Sequence, residues 1–253
     1  MKTEPLATYV INLARAPERM KKSEAMLESL GLGFTRIEAN DGSSIPSNVR
    51  VNSAPYAGRD LLSGELGCFL SHRAAAEAFL ASEAQLGLVL EDDAADTDQT
   101  RAVLSALEDA RARFTIWDVM NLGKSASRWR TPVRQASYDG PGQLCHAHYF
   151  PVTTTALLWS RGGARGFLMM SQEIRLPVDV QLQDWVRKTD RGLAFEAAVF
   201  EPRGESSLIH QKAGKTTRSS SARTSQYRML RLKRQLGTHL SAARHRWLRS
   251  KTQ

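Results

Sequence analysis

The stretch TYVINLARAPERMKKSEAMLESLGLGFTRIEA, Thr8–Ala39, decides the fold class. Its first six residues are mostly apolar and β-branched, which is typical of a short buried strand. The segment 16–30 follows, with Met20, Leu27 and Leu30 near helical spacing and Gly31 behind them as a helix stop. FTRIEA, residues 34–39, is a second strand and runs into an NDG turn. Strand, helix and strand within about 30 residues predict a βαβ unit of a parallel sheet.

The alternation of strands and helices continues to about residue 208. After a polar loop over 44–60, we predict helices over 64–83, 98–114, 161–170 and from Asp179 onward, and strands over 86–90, 117–122, 153–160 and 193–200. The loop-like segment 124–142 is expected to be mobile over a site. Together these elements predict an α/β domain with a mainly parallel central sheet.

Length and composition limit the protein classes. The chain has 253 residues, of which 42% are hydrophobic, which suffices for one large domain with a core. No apolar run approaches the roughly 20 residues that cross a bilayer. Glu4 and Pro5 interrupt the N-terminus where a signal peptide would be apolar, so we expect a cytoplasmic protein. Cys68 and Cys145 lie far apart, which argues against a disulfide framework or a zinc site.

The net charge of +9 is confined to the C-terminus. Of the 35 Lys and Arg residues, 12 lie from Ile209 onward, where there is no Asp or Glu. The remaining 23 basic residues face 26 acidic ones, so residues 1–208 carry a net charge of −3. This division argues against a basic nucleic-acid-binding face on the domain and for a separate basic appendage.

The appendage consists of two parts. Residues 212–226 are small and polar, which predicts a flexible linker. Residues 227–253 predict a basic amphipathic helix, the kind of segment that lies on an anionic membrane surface. We therefore expect a protein peripheral to the inner membrane, with docking on the domain, on another protein or on RNA as alternatives. The apolar stripe consists of Met229, Leu232, Leu236, Leu240, Ala243 and Trp247.

The stretch LGLVLEDDAAD, Leu86–Asp96, carries the chemistry. A buried strand ends in Glu91, Asp92 and Asp93, and ligands of open parallel sheets bind beyond the carboxyl ends of the strands. Three adjacent carboxylates repel one another unless a cation or hydrogen-bond donors compensate, and Mg²⁺ or Mn²⁺ with a phosphate-bearing substrate is a common solution. The alternative is a surface loop in which Asp96 or Asp98 caps the next helix.

Several motifs occur in a fixed order around this triplet. They are VINLARAPER (10–19), ANDG (39–42), SGELGCFLSHRAAAEAF (63–79), LVLEDDA (88–94), TTTALLWSRGGARGFL (153–168) and LPVD (176–179). Over residues 8–211 this order resembles the bacterial family-25 glycosyltransferases, the lipooligosaccharide-type galactosyltransferases.

The resemblance implies a fold, a cofactor and a reaction. Residues 1–211 would form a GT-A-type nucleotide-sugar-binding domain that uses Mn²⁺, or Mg²⁺. The enzyme would transfer a hexose, galactose in particular, from a UDP-sugar donor with inversion. The acceptor would be a lipid-linked oligosaccharide of the bacterial envelope.

The resemblance also suggests roles for the acidic triplet. Asp93 would bind the metal, Glu91 would lie on the ribose side, and Asp92 would contribute to either. His210, after the last strand, would be a late metal or phosphate contact, unless it is a solvent-facing residue at the start of the linker.

Further nucleotide contacts are expected from the first strand and the third helix. By position, Asn12, Arg15 and Arg19 would contact uridine or phosphate, although arginines there are as often ordinary surface charges. His72 would donate to the diphosphate or to the carboxylate cluster, with Ser71 as a weaker candidate. The alternative for His72 is a buried histidine bonded to a backbone carbonyl.

An inverting transfer also needs a general base for the acceptor hydroxyl. Asp179 and Asp184 are the candidates, and Asp179 is preferred. The alternative role for Asp179 is a helix N-cap.

Two other functions are compatible with parts of the sequence. Another metal-dependent nucleotide-sugar enzyme, such as a nucleotidyltransferase, would use the same carboxylates, but no GxxxxGK[ST] phosphate loop is present. A basic-tailed, nucleic-acid-associated protein is the second, and the acidic body argues against it.

Overall fold

The computed structural model describes residues 6–110, 116–204 and 225–251. The strands are β1 Leu6–Asn12, β2 Thr35–Glu38, β3 Arg50–Val51, β4 Leu86–Glu91, β5 Ala94–Asp96, β6 Val119–Asn121, β7 Arg130–Pro132, β8 Leu144–Ala147, β9 Ala156–Ser160, β10 Glu173–Ile174, β11 Gly192–Phe195 and β12 Phe200–Pro202. The helices are α1 Pro17–Leu30, α2 Ala54–Ala57, α3 Ser63–Ala81, α4 Thr100–Ala110, α5 Arg161–Met170, α6 Val178–Thr189 and α7 Ser225–Ser250. The predicted α/β class is confirmed.

The central sheet has eight strands in the order β2-β1-β4-β9-β6-β11-β8-β7. β1 pairs in parallel with both β2 and β4, which confirms the βαβ unit formed with α1. β9 lies antiparallel between β4 and β6, and β8 is antiparallel to β11 and β7. The strands therefore run mainly in one direction, but the pairing is mixed, because β9 and β8 run opposite to the others.

Helices cover both faces of the sheet. On one face, α3, α5 and α6 contribute Phe69, Phe167 and Leu182 to a core cluster. On the other face, α1 and α4 contribute Leu27 and Leu107 to a second cluster. Successive residues of β4 alternate between these clusters. Its continuous apolar run follows from burial on both faces, as in other covered sheets.

The segment 124–142 is irregular, as predicted, except for the short strand β7. β7 pairs with β8 at the edge of the sheet farthest from β1 and β2, and Pro132 is tolerated there as the last residue of an edge strand. That the segment is a mobile cover over a site stays a prediction.

A close contact fixes α3 against the turn that follows β2. A Cβ atom built on Gly67 would lie 2.2 Å from the backbone oxygen of Asn40. Gly42, in the same turn, has a left-handed φ of +75°, and its amide donates to Asn40 Oδ1 at 2.7 Å. The turn and the first residues of α3 are thereby held side by side.

The C-terminal helix α7 packs on the domain. Its buried residues are Thr238 and Ala242, and it bonds to the end of α6 through Ser241 and His245, whose side chains contact the backbone oxygen of Arg187 at 3.2 and 3.1 Å. The predicted linker lies outside the described residues except for its last two, which begin α7. Among the described helices, none is long and apolar enough to cross a membrane.

We expect Gly67→Ala to lower the free energy of unfolding by about 1–3 kcal/mol, because the new methyl group overlaps the backbone of the 40–42 turn. Gly237→Ala is the matched control, since this glycine is also inside a helix and has no neighbour within 4 Å of an added Cβ. It should raise helix stability by up to about 1 kcal/mol. Urea denaturation followed by circular dichroism measures both, and equal effects would contradict the close contact.

Candidate active site

A cleft lies at the carboxyl ends of β1, β2 and β4, where the parallel topology predicts a ligand site. The acidic triplet forms one wall, and the turn after β2 and the first turns of α3 form the opposite side. The lining residues are Ile11, Leu13, Arg15, Arg19, Ala39, Asn40, Asp41, Ser63, Gly64, Cys68, Ser71, His72, Glu91, Asp92 and Asp93.

Asp92 is the structural member of the triplet. Its buried carboxylate accepts hydrogen bonds from Asn12 Nδ2 at 2.8 Å and from Arg19 Nη1 at 3.0 Å. The hydroxyl of Ser23 donates to its backbone oxygen at 3.3 Å. Both carboxylate oxygens thus have protein partners. The sequence had suggested that Asp92 could contribute to a metal site, but the structure does not leave its carboxylate open for a metal.

Asn12 and Arg19 both donate hydrogen bonds to the carboxylate of Asp92. Asn12 is buried, its Nδ2 also donates to the backbone oxygen of Ala16 at 3.0 Å, and its Oδ1 accepts from Arg36 Nε at 3.1 Å. Arg19 forms the ion pair with Asp92. Arg19 lines the cleft and Asn12 lies behind it, and the described contacts of both residues hold β1 and α1 to the end of β4.

Glu91 belongs to a different network, on the α3 side. Its Oε1 accepts from Thr154 Oγ1 at 2.5 Å and lies 3.2 Å from His72 Nε2 and 3.8 Å from Cys68 Sγ. Burial alone would raise the pKa of Glu91, but the hydrogen bond and charge of His72, with the bonds from Thr154 and Cys68, lower it. The carboxylate form of Glu91 is therefore favoured.

The position of His72 agrees with one of the two contacts expected for it, the carboxylate cluster. Cys68 and Thr154 were not predicted as site residues. Cys68 precedes His72 by one helical turn, a spacing that places both on one face of α3 and was a usable signal. Thr154 lies 63 positions from Glu91 in the chain, and no local pattern marks it.

Asp93 differs from its two neighbours in having one buried carboxylate oxygen without a partner among the described residues. Its Oδ1 is buried and has no hydrogen-bond partner among the described residues. Burial, followed by the charge of Glu91, raises the pKa of Asp93 to about 6, with Arg19 opposing the shift. An orphaned, partly buried carboxylate oxygen is costly in the absence of a counterion, and a divalent cation would supply one.

The oxygens available in the cleft fit a hard divalent cation. Asp93 would hold such an ion, and Glu91 is the next carboxylate along the wall. Cys68, His72 and Glu91 also bring three potential ligand atoms within 4.8 Å of one another, but their mutual hydrogen bonds occupy Glu91 Oε1. Asp93 as the metal ligand stays a prediction, with which its unpartnered carboxylate oxygen is compatible.

The other predicted nucleotide contacts lie at different depths. Arg15 is exposed where it lines the cleft, so its guanidinium is open to an anionic ligand. Ser71 is buried and bonded on both sides, since its hydroxyl accepts from the Asn40 amide at 2.8 Å and donates to the Gly67 oxygen at 2.7 Å. Ser71 therefore supports the turn after β2.

The two candidate bases have different surroundings. Asp179 is the second residue of α6, two residues past the position of the helix N-cap, and its Oδ1 accepts from the amide of Val180 at 2.8 Å. Burial raises the pKa of Asp179, the bond from Val180 opposes this rise, and the nearby charge of Glu91 adds to it. Asp179 therefore lies within electrostatic reach of the cleft, although it is not one of the residues that line it.

Asp184 is engaged elsewhere. It accepts from Arg187 Nη2 at 2.6 Å and pairs with Lys188 at 3.4 Å. Burial would raise the pKa of Asp184, but these two cations lower it. The structure does not bring Asp184 to the cleft, because five residues along a helix turn the side chain well away from that of Asp179. His210 lies outside the described residues.

The sheet and its two helical layers, with the acidic cleft at the carboxyl ends of β1 and β4, are compatible with a GT-A-like fold. Residues 6–182 match the family described as "Glycosyltransferase family 25 (LPS biosynthesis protein)". The chain belongs to glycosyltransferase family 25.

Similar proteins come from animals. The human "Inactive glycosyltransferase 25 family member 3" is 35% identical over 183 residues, which cover 68% of this chain and 30% of the relative. A "Glycosyltransferase 25 family member" of Drosophila pseudoobscura pseudoobscura is 30% identical over 68% of this chain and 28% of its own. "Procollagen galactosyltransferase 1" of Danio rerio is 27% identical, with 68% and 30% covered.

The matched region spans about a third of the length of these relatives. The family predicted from the motifs is confirmed. The narrower prediction of a bacterial lipooligosaccharide enzyme finds no support in these three proteins, since they are animal proteins and their names mention no such acceptor.

The raised pKa of Asp93 makes stability depend on pH. The pKa of Asp93 is about 6 in the folded chain, against an ordinary value of 3.8. Between these pH values the folded chain binds more protons than the unfolded chain, so the free energy of unfolding falls as pH rises. Asp93→Asn cannot ionise and should be more stable than wild type at pH 7.5, by on the order of 1–3 kcal/mol. The difference should vanish near pH 4.

Denaturant unfolding at pH 4 and pH 7.5 measures this effect, with the exposed residue Asp96 changed to Asn as the matched control from the same acidic stretch. Addition of Mn²⁺ at pH 7.5 should raise the melting temperature of wild type and of Asp96→Asn but not of Asp93→Asn. An Asp93→Asn variant that is less stable than wild type at pH 7.5 would contradict the orphaned carboxylate.

Proposed function

We propose that this protein is an inverting, divalent-metal-dependent glycosyltransferase that moves a hexose, galactose in particular, from a UDP-sugar. The observation that carries the proposal is the arrangement of the triplet. Asp92 is hydrogen-bonded on the α1 side and Glu91 on the α3 side, and Asp93 at the wall of the cleft has a buried oxygen with no partner in the described part of the chain.

The protein residues would divide the work as follows. Asp93 would hold Mn²⁺ or Mg²⁺, and the metal would neutralise the charge that develops on the diphosphate leaving group. Asn12 and Arg19 fix Asp92 and so position its neighbour Asp93. Arg15, exposed at the cleft, would contact a phosphate or the uridine.

The proton of the acceptor hydroxyl would go to Asp179. Burial raises the pKa of Asp179, which makes its carboxylate a stronger proton acceptor, and the amide of Val180 orients one carboxylate oxygen. Glu91, kept as a carboxylate by His72 and Thr154, would accept a hydrogen bond from the ribose.

Two acceptor classes follow from separate observations. The motifs resemble enzymes that act on a lipid-linked glycan, which is the acceptor that we favour. The name of the Danio rerio relative refers to procollagen, and this provides the alternative.

A second candidate is a family member that binds a nucleotide sugar without transferring it. It is favoured by the name of the human relative, which describes that protein as inactive. Both candidates require the cleft to bind a donor, so turnover is the property that distinguishes them.

A panel of UDP-sugars with Mn²⁺ tests the proposal through UDP release, with a lipid-linked glycan, with a procollagen peptide and without acceptor. We expect UDP-galactose turnover that depends on one acceptor and on Mn²⁺. Asp93→Asn should lower turnover by at least 100-fold while circular dichroism shows an intact fold, and Asp96→Asn should leave turnover unchanged. Donor binding by calorimetry without turnover of any sugar would favour the second candidate, and no binding would contradict both.

The pH dependence of turnover distinguishes the two carboxylates of α6. Asp179→Asn should remove the acidic limb of the pH–rate profile and lower the rate by about 100-fold or more, because no group then accepts the hydroxyl proton. Asp184→Asn removes an ion pair away from the cleft and should keep the limb. Loss of the limb in Asp184→Asn alone would reverse the assignment.

A further inference from the structure

The outward face of α7 carries a row of large apolar side chains. Met229, Leu232, Leu236, Leu240, Trp247 and Leu248 are 43–73% exposed. At about 100° per residue, all of these except Leu248 fall within an arc of about 80°, and from Met229 to Trp247 the row is about 27 Å long. Contiguous exposed apolar surface of this kind marks an interaction site.

The helix is held to the domain by the opposite face. Asp190, at the C-terminal end of α6, accepts from Arg249 Nη2 at 3.2 Å and from His148 at 2.7 Å. Arg249 also lies 3.2 Å from His146, and Thr238 and Ala242 are buried in the contact. In the structure α7 therefore docks on the domain, which was one of the alternatives considered from the sequence. The contact uses polar and small residues of the helix and leaves the large apolar residues of the predicted stripe exposed to solvent.

Cations border the apolar row on both sides. Arg228 and Arg246 lie along one border, and Lys233, Arg244 and Lys251 lie along the other, as their helical positions require. Residues 225–251 contain eight Lys or Arg and no Asp or Glu. An apolar row between two basic borders is complementary to a surface that is apolar below and anionic above.

This charge also argues against a second copy as the occupant of the face. Two such helices packed along their apolar rows would bring like charges together without any acidic residue in the segment to compensate, and like-charge juxtaposition disfavours association.

We propose that the outward face of α7 docks this protein on an anionic lipid bilayer, with the apolar row inserted to the level of the acyl boundary and the basic borders at the headgroups. The helix stays bound to the domain through Asp190 while it does so.

Docking through this face has a consequence for the cleft. A Cβ built on Gly58 would lie 2.8 Å from Cα of Tyr227, so the first turns of α7 contact the C-terminal end of α2. From there the chain leads into α3, whose first residues Ser63 and Gly64 line the cleft. The helix on the membrane surface would therefore be connected to the cleft through α2 and the first residues of α3.

Co-sedimentation of the full chain with vesicles tests the proposal. We expect saturable binding to vesicles of phosphatidylcholine with 30% phosphatidylglycerol, weak binding to phosphatidylcholine alone, and loss of binding as salt rises. Leu232→Gln with Leu240→Gln should weaken binding by roughly tenfold or more. Lys233→Gln with Arg244→Gln should weaken it by roughly fivefold for each charge, and only on anionic vesicles.

Met169→Gln is the matched control, because Met169 is 74% exposed on α5, away from this face. It should leave vesicle binding unchanged. Absence of binding to anionic vesicles, or binding that the paired leucine variant leaves intact, would overturn the proposal. So would a concentration-dependent dimer, seen by sedimentation velocity, that Leu232→Gln with Leu240→Gln dissociates. None of these measurements depends on turnover, so they are independent of the proposed transfer.

Discussion

The buried carboxylate of Asp92 is the contact on which the site depends. It accepts from Asn12 at the end of β1 and from Arg19 in α1, and so joins both elements to the end of β4. Removal of one partner from a buried charge pair typically costs about 3–5 kcal/mol, because the remaining charge stays buried alone. The carboxyl ends of β1 and β4 are therefore fixed relative to each other by the contacts of Asp92 as well as by sheet pairing.

Once Asp92 is fixed, the repulsion within the triplet has a structural solution. Asp92 is neutralised on the α1 side, and Glu91 on the α3 side by His72 and Thr154. The Oδ1 atom of Asp93 has no partner among the described residues, and burial, with the charge of Glu91, raises the pKa of Asp93 to about 6. Two of the three acids thus stabilise the fold, and the uncompensated charge is concentrated on one residue at the cleft, as is common at functional sites.

Local patterns in the sequence were sufficient for the βαβ unit, for the buried strand before the triplet and for the position of the cleft. They could not assign roles within the triplet, because Asn12 lies 80 positions from Asp92 and Thr154 lies 63 positions from Glu91. They also could not give the direction of β9. A strand buried on both faces has the same apolar composition whether it runs parallel or antiparallel to its neighbours.

The packing of α7 is a second feature that local sequence patterns could not predict. Periodicity correctly places its apolar residues on one stripe, yet it does not determine which face meets the domain. Burial of a large apolar side chain is worth about 1.5–3 kcal/mol, so a helix docked only for stability would turn the stripe inward. Here Asp190 and the Arg187 backbone oxygen hold the polar face instead. The exposed stripe therefore lowers the stability of the isolated chain in water, and the membrane docking that we propose would bury it.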